Sequence, residues 1–219
     1  MTSNEPVGKR RRDKPVSVPE IAQTGLALLD EVGLEGLTMR RLAGAMGVEP
    51  MTLYRYLPNK EAILAVVADL LWQELRPFVN GADGWTATVR AMWLDMYQLM
   101  TAHPHAVPLI ARAGSYSHTA TEGTARMLEV LKEAGFASGL ATELLHTAGA
   151  LVVGFAYAHL WTQLAEGGQR PSAPAGEMAP LAAETLAYAQ AIGPWEPEQL
   201  ETALDIVITG FAARLAQSH

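Results

Sequence analysis

The chain has 219 residues, of which 49% are apolar and 18% charged; it is long enough to bury a sizeable core and too apolar for a disordered chain. It contains no cysteine, which excludes disulfides, thiolate zinc sites and cysteine nucleophiles and fits a cytoplasmic location. The net charge of −7 argues against a nucleic-acid partner only as an average: residues 1–60 carry nine Lys/Arg against seven Asp/Glu, and residues 61–219 carry seven against sixteen. A small cationic head on an acidic body is compatible with DNA binding through the head alone.

Residues 1–16 are polar, charged and Pro-containing, and read as a flexible basic arm with Lys9, Arg10, Arg11, Arg12 and Lys14. No apolar region follows the arm, so it is not a secretory signal. Ser17-Val18-Pro19-Glu20 has the spacing of a capping box, and Ile21, Gly25, Leu28, Leu29 and Val32 then recur at helical spacing. Gly33 and Gly36 punctuate the end of this first helix. Thr38 is placed to cap a second helix to Ala45, and Gly47 offers the positive φ of a tight turn. A third short helix starts at Pro50 and ends near Tyr56, and Asn59 caps a fourth that runs to about Leu75.

The remainder is also helical. Helices are expected at about 85–101, 105–112, 120–134, 139–165, 181–191 and 197–216, with a Gly/Pro-rich loop at 166–180. The longest apolar block, Ala148 to Leu164, is interrupted by Gly149, Gly154, His159 and Thr162 and falls short of the roughly 20 apolar residues of a membrane span. No alternating strand pattern is present. The expected fold is all-α with about ten helices: an arm at 1–16, a tri-helical head at 17–62, and a larger helical domain at 63–219.

Within the head, Leu42, Met46, Val48, Leu53 and Leu57 form the expected core, and Ala43, Gly44 and Ala45 let the second and third helices cross closely. The faces left over carry Arg40, Arg41, Thr52, Arg55, Tyr56 and Lys60. Arginine suits bidentate contact with guanine, and hydroxyls suit phosphates or base edges. The arm is placed to reach a neighbouring groove. In the body, Leu144, Leu145, Ala148, Leu151, Val152 and Phe155 form one stripe, and Leu200, Leu204, Val207, Ile208, Phe211 and Leu215 another. Two such helices per subunit suit a four-helix dimer interface. An enzyme finds no support: the chain shows no nucleophile elbow, no HExxH, no Gly-rich phosphate loop and no di-carboxylate helix pair.

Residues 17–72 resemble the DNA-binding domain of the TetR family of bacterial repressors. The matching stretches are Gly33 to Thr38, Leu42-Ala43, Gly47-Val48, Thr52 to Tyr56 and Asn59 to Leu64. The resemblance implies a helix-turn-helix in which Thr38 and Arg40 approach DNA, and in which Pro50, Met51 and Thr52 open the recognition helix. It implies phosphate contacts for Tyr54, Tyr56 and Lys60, with Arg55 at a variable, base-reading position. It also implies a homodimer on double-stranded, pseudo-palindromic operator DNA, with no membrane partner.

The body is similar to the tetracycline-repressor subgroup at Trp85, His103-Pro104, Leu131 to Phe136, Gly149, Gly154 and Ile208 to Phe211. It departs where that subgroup holds its magnesium-chelated drug. Ile110 stands for the metal-binding His, Ala158 for the Glu, Met92 and Met96 for the polar Asn and the Phe, and Ala113-Gly114-Ser115 for the Thr-Arg-Pro turn. A magnesium site needs oxygen or imidazole ligands, so neither a metal nor a cofactor is expected. The expected effector is a small apolar or aromatic molecule held by Arg76, Met92, Trp93, Met96, Leu109, Ile110, Phe155 and Trp161, with Tyr157, His146 and His159 as further candidates. Its binding is expected to shift the fourth helix and release the head, with Arg76 at the coupling point. A regulator or architectural protein that binds DNA without any effector is the alternative.

Overall fold

The computed structural model describes residues 16–75, 84–112, 117–165 and 197–217. Among them are nine α-helices, one 3₁₀ turn and no strand: α1 (Val18–Gly36), α2 (Met39–Met46), α3 (Pro50–Tyr54), α4 (Lys60–Glu74), α5 (Trp85–Ala102), the 3₁₀ turn Pro104–Ala106, α6 (Val107–Ile110), α7 (His118–Glu133), α8 (Ser138–Ala165) and α9 (Pro197–Ala216). The arm at 1–15, the loop at 166–180 and the helix expected at 181–191 lie outside the described residues. The chain divides into two compact units. The first comprises the residues up to Glu74 together with His105–Glu122, and the second comprises Leu75–Pro104 together with Gly123–His219.

In the first unit, α1 starts as its sequence requires. The Ser17 amide donates to Glu20 Oε2 at 3.2 Å and the Glu20 amide donates to Ser17 Oγ at 3.4 Å, a reciprocal cap. Val16, assigned to the arm, is buried instead, one residue before the cap. At the other end, Gly33 has φ 72°, a value that L side chains rarely adopt, and bends the last turn. Two cations close that turn. Lys60 Nζ donates to the Leu34 carbonyl at 2.7 Å, and Arg41 Nη1 donates to the Gly36 carbonyl at 3.1 Å. Both satisfy carbonyls that a helix end leaves without partners.

Helix α1 crosses α4 at Gly25, where an added Cβ would lie 2.9 Å from Val67 Cγ2. Ile21, Leu29, Leu42, Leu53, Ile63 and Leu71 are almost completely buried in this unit. Truncating any of them to Ala costs about 2–5 kcal/mol. Residues 105–122 are tied to the same unit by polar contacts. His105 Nδ1 lies 2.7 Å from the Asp30 carbonyl oxygen. Asp69 accepts from Ser117 Oγ at 2.6 Å and from the Thr119 amide at 3.1 Å, which places a carboxylate at the N-terminus of α7.

In the second unit, α8 packs against α5 and α9, and α5 packs against α9. Val89, Met127, Leu131, Phe136, Leu144 and Phe211 belong to one buried cluster. Trp85 meets Phe136 edge-on at 4.8 Å. Ion pairs link the helices at the surface: Arg90 reaches Glu201 at 2.7 Å and Asp205 at 2.9 Å, and Arg214 reaches Glu143 at 2.7 Å. The hydrogen bond to Asp205 and then that to Glu201 raise the Arg90 pKa, so it stays charged.

The stretch Ser138–Leu160 is long and apolar enough to cross a membrane by length and composition alone. In the sequence it is interrupted by Gly149, Gly154 and His159. One face of it is used internally, with Leu144, Ala148, Val152 and Ala156 fully buried within the unit, while Ala150 and Tyr157 are exposed.

That burial corrects the expected dimer interface. Of the two stripes, Leu144, Leu145, Ala148, Val152 and Phe155 on α8 and Leu200, Leu204, Ile208 and Phe211 on α9 are buried within the single chain. Leu151, Val207 and Leu215 are half-buried. The most apolar face of each helix packs on its own unit because that removes the most apolar surface from water. The outward face of α8 carries His146, Ala150, Gly154 and Tyr157, and that of α9 carries Thr202, Ile206, Thr209, Gly210 and Ala213.

Candidate nucleic-acid interface and effector-binding residues

The turn between α2 and α3 is built by local chemistry. Thr38 Oγ1 accepts from the Arg41 amide at 3.2 Å and starts α2. Gly47 ends it at φ 70°, ψ 28°, and the Val48 amide donates back to the Ala43 carbonyl at 3.0 Å. Pro50 sits in the first turn of α3, where its missing N–H costs no bond. Asn59 Oδ1 accepts from the Ala62 amide at 2.8 Å and starts α4.

Only Leu53 is buried in α3. Met51 is 72% exposed, Tyr54 45% and Tyr56 41%, so neither tyrosine packs in the tri-helical core. Arg55 is also exposed, and Pro50 and Thr52 are half-buried. Arg40 and Arg41 are exposed on α2, although Arg41 bonds back to α1. Lys60 is half-buried and spends one of its three donors on Leu34. The small-residue contact expected between α2 and α3 narrows to Ala43. Gly44 and Ala45 are exposed, and a Cβ at Gly44 would meet nothing.

A helix anchored by one leucine, with Met51 and Tyr54 exposed on it and Arg55 and Tyr56 exposed just beyond its end, presents side chains that the fold does not need. This is the arrangement of a helix-turn-helix, a motif whose second helix lies in the major groove in known complexes.

The proposed effector residues divide between the two units. Leu109 and Ile110 are buried in the first. Met96 and Phe155 are buried in the second, and Met92 and Trp93 are half-buried there. Arg76 and the side chain of Trp161 lie outside the described residues. Tyr157 is 49% exposed on the outer face of α8, and His146 is exposed on the same face. His159 meets Tyr97 edge-on at 6.1 Å. His103 ends α5, its amide donating to the Leu99 carbonyl, and His105 bonds the Asp30 carbonyl oxygen. Two features escaped the sequence reading. The Asp69 contacts to residues 117 and 119 join positions about fifty residues apart, and only the fold brings them together. The seat of Trp93 on Gly149 is a contact between helices: a Cβ there would lie 2.9 Å from the indole Cη2. The glycine was noticed, but its neighbour was not.

Fold and site define a helix-turn-helix regulator with a separate all-helical domain. Comparison with known proteins carries this further. Residues 21–67 match the family described as bacterial regulatory proteins, tetR family, and residues 77–215 match the tetracyclin repressor-like C-terminal domain. The chain belongs to the TetR family. It is 30% identical over 161 residues to the HTH-type transcriptional repressor DrrR1 of Streptomyces coeruleorubidus, covering 71% of this chain and 58% of that one. It therefore spans a little over half of that relative's length. It is 28% identical over 204 residues to the class A tetracycline repressor from transposon 1721 of Escherichia coli, covering 89% of each. Among solved structures, a possible TetR family transcriptional regulator from Streptomyces coelicolor A3(2) aligns with TM-score 0.73 and 25% identity, over 90% of this chain and 99% of that one. Apo ActR of Streptomyces coelicolor aligns with TM-score 0.74 and 21% identity, over 95% of this chain and all of the other.

Proposed function

We propose that the protein is a ligand-responsive repressor that binds a pseudo-palindromic operator as a homodimer and leaves it when a small apolar or aromatic effector binds the C-terminal domain. The observation that carries the reading is α3, with Leu53 as its only buried residue and Met51, Tyr54, Arg55 and Tyr56 outside. Arg40 and Arg55 read guanine edges. Thr38, Thr52, Tyr54, Tyr56 and the remaining donors of Lys60 hold phosphates, and Pro50 and Met51 pack against base edges or sugars.

The dimer forms through the outward faces of α8 and α9. Ile206 is 69% exposed there and Tyr157 49%. Gly154 and Gly210 lie inside these helices, yet a Cβ at either would meet nothing within 4 Å among the described residues. Glycine inside a helix costs about 1 kcal/mol relative to alanine, and the chain's own packing gives no return for it. Close approach of a partner helix supplies one. Two heads then meet successive major grooves about 34 Å apart.

Release works through α4. Asp69 on that helix holds Ser117 and Thr119, which lie within the stretch matching the tetracyclin repressor-like C-terminal domain. A ligand that moves residues 105–122 moves α4 and the head with it. By linkage, operator binding weakens effector affinity by the same factor.

The test is selection of bound duplexes from random-sequence DNA at moderate salt, alongside sedimentation of the protein. A two-half-site motif and a dimeric mass support the reading. Non-specific binding that depends only on salt counts against it.

A further inference from the structure

We infer that the indole N–H of Trp93 is the polar anchor of the effector site, and that the effector presents to it a carbonyl oxygen carried on a flat aromatic body. This rests on the ligand-responsive reading and gives it a chemistry.

Trp93 Nε1 is buried and has no hydrogen-bond partner among the described residues. An indole N–H can only donate, so it needs an acceptor. Buried polar groups are nearly always paired, and an exception calls for a reason. The ring is held in place at its other end. Its Cη2, Cζ3 and Cζ2 atoms occupy the space beside Gly149, at 2.9, 3.4 and 3.5 Å from where a Cβ would sit. The benzo edge is thus wedged against α8, and the N–H is held in a fixed direction.

The surroundings are apolar and adaptable. Val89 and Met96, one turn away on α5, are buried, and Met92 beside it is half-buried. Tyr97, also one turn away on α5, is buried and meets His159 edge-on. Aromatic edges and thioethers suit a flat ring system, and a single fixed donor then sets its orientation.

Two locally unfavourable choices coincide at this point. A phenylalanine would fill most of the same space without an orphan donor, and helix propensity alone would put an alanine at 149, where its Cβ would meet the Trp93 indole. The chain has neither. Sites that break local rules together are where function is to be sought. A donor with no acceptor of its own also selects: it favours a ligand that brings the oxygen over one that lacks it.

The test uses a matched probe pair, anthraquinone sulfonate and anthracene sulfonate, with the full-length protein and its Trp93→Phe variant. The nitrogen-labelled indole spectrum has five tryptophans to resolve, and the variant identifies the Trp93 signal by its loss. The expected result is a downfield shift of the Trp93 indole proton with the anthraquinone. The variant is expected to bind that probe about tenfold more weakly and the anthracene unchanged.

Equal losses on both probes would mean that Trp93 only packs, and would overturn the inference. So would anthraquinone binding that leaves the Trp93 signal unmoved. If the anthraquinone releases operator DNA while that signal stays put, the inference falls and the ligand-responsive reading stands. Failure of both probes to bind overturns the inference. Failure of a broader set of aromatic compounds to release operator then removes the ligand-responsive reading as well.

Discussion

Helices α3 and α8 solve opposite problems. Helix α3 has five residues and buries one; α8 has 28 and is apolar nearly all round. The short helix depends on its neighbours for stability and leaves its side chains free for a ligand. The long one is held by its own packing, and which of its faces does what depends on the helices around it. Function is therefore written openly on α3, whereas on α8 it emerges only after α5 and α9 have taken the most apolar surface.

The largest expected effect breaks the body without touching the head. Ile206→Glu places a charge at the proposed α8–α9 contact between subunits. Sedimentation should show monomers, and operator affinity should fall by more than about a hundredfold, because each head alone contributes only half of the binding. A dimer with unchanged affinity would show that the outward face of these helices is not the interface.

Next comes the anchor of α3. Leu53→Ala should cost about 2–5 kcal/mol, measured by denaturant unfolding, with loss of operator binding as the helix detaches. Arg55→Ala, exposed at the C-terminal end of the same helix, should leave unfolding unchanged within about 0.5 kcal/mol. It should cost about 1–3 kcal/mol of operator binding and relax the preference at one base position. If both variants lose stability equally, α3 is not the one-sided element described above.

The Asp69 latch tests whether the head and residues 105–122 move together. Asp69→Ala leaves Ser117 Oγ and the Thr119 amide without their acceptor, at about 1–3 kcal/mol of stability. Operator binding should persist while release by an active effector needs several-fold more ligand, read by fluorescence anisotropy of labelled operator. Unaltered release would assign the latch to stability alone.

The smallest effect sharpens the comparison between inward and outward faces of α8. Gly154→Ala should stabilise an isolated subunit by up to about 1 kcal/mol, since the Cβ meets nothing there. In the dimer the same change should weaken association. Gly149→Ala faces inward and meets Trp93 at 2.9 Å, so it should destabilise the fold by about 1–3 kcal/mol through overpacking. Thermal unfolding of the pair, at high and low protein concentration, separates the two faces.

The head was legible in the sequence because its signals are local. Ser17 with Glu20, Thr38, Gly47, Pro50 and Asn59 each act within a few residues, and each appears in the structure where the spacing puts it. Caps and positive-φ glycines are decided by chain geometry, which needs no distant partner. The exposure of Tyr54 and Tyr56 is not dictated locally, since a tyrosine on or beside a short helix serves a core as well as a ligand.

The sequence by itself determined the all-α class, the helix-turn-helix and the charge contrast between head and body. The first two follow from periodicity and from bonds spanning three or four residues, and the third from a count of charged residues. Only the tertiary structure decided that the apolar stripes of α8 and α9 are internal, that Asp69 reaches Ser117 and Thr119, and that Gly149 is the seat of Trp93. Each of these is a contact between segments far apart in the chain. An apolar helix offers several faces of similar hydrophobicity, and which one is buried depends on the competing surfaces of its neighbours rather than on its own pattern.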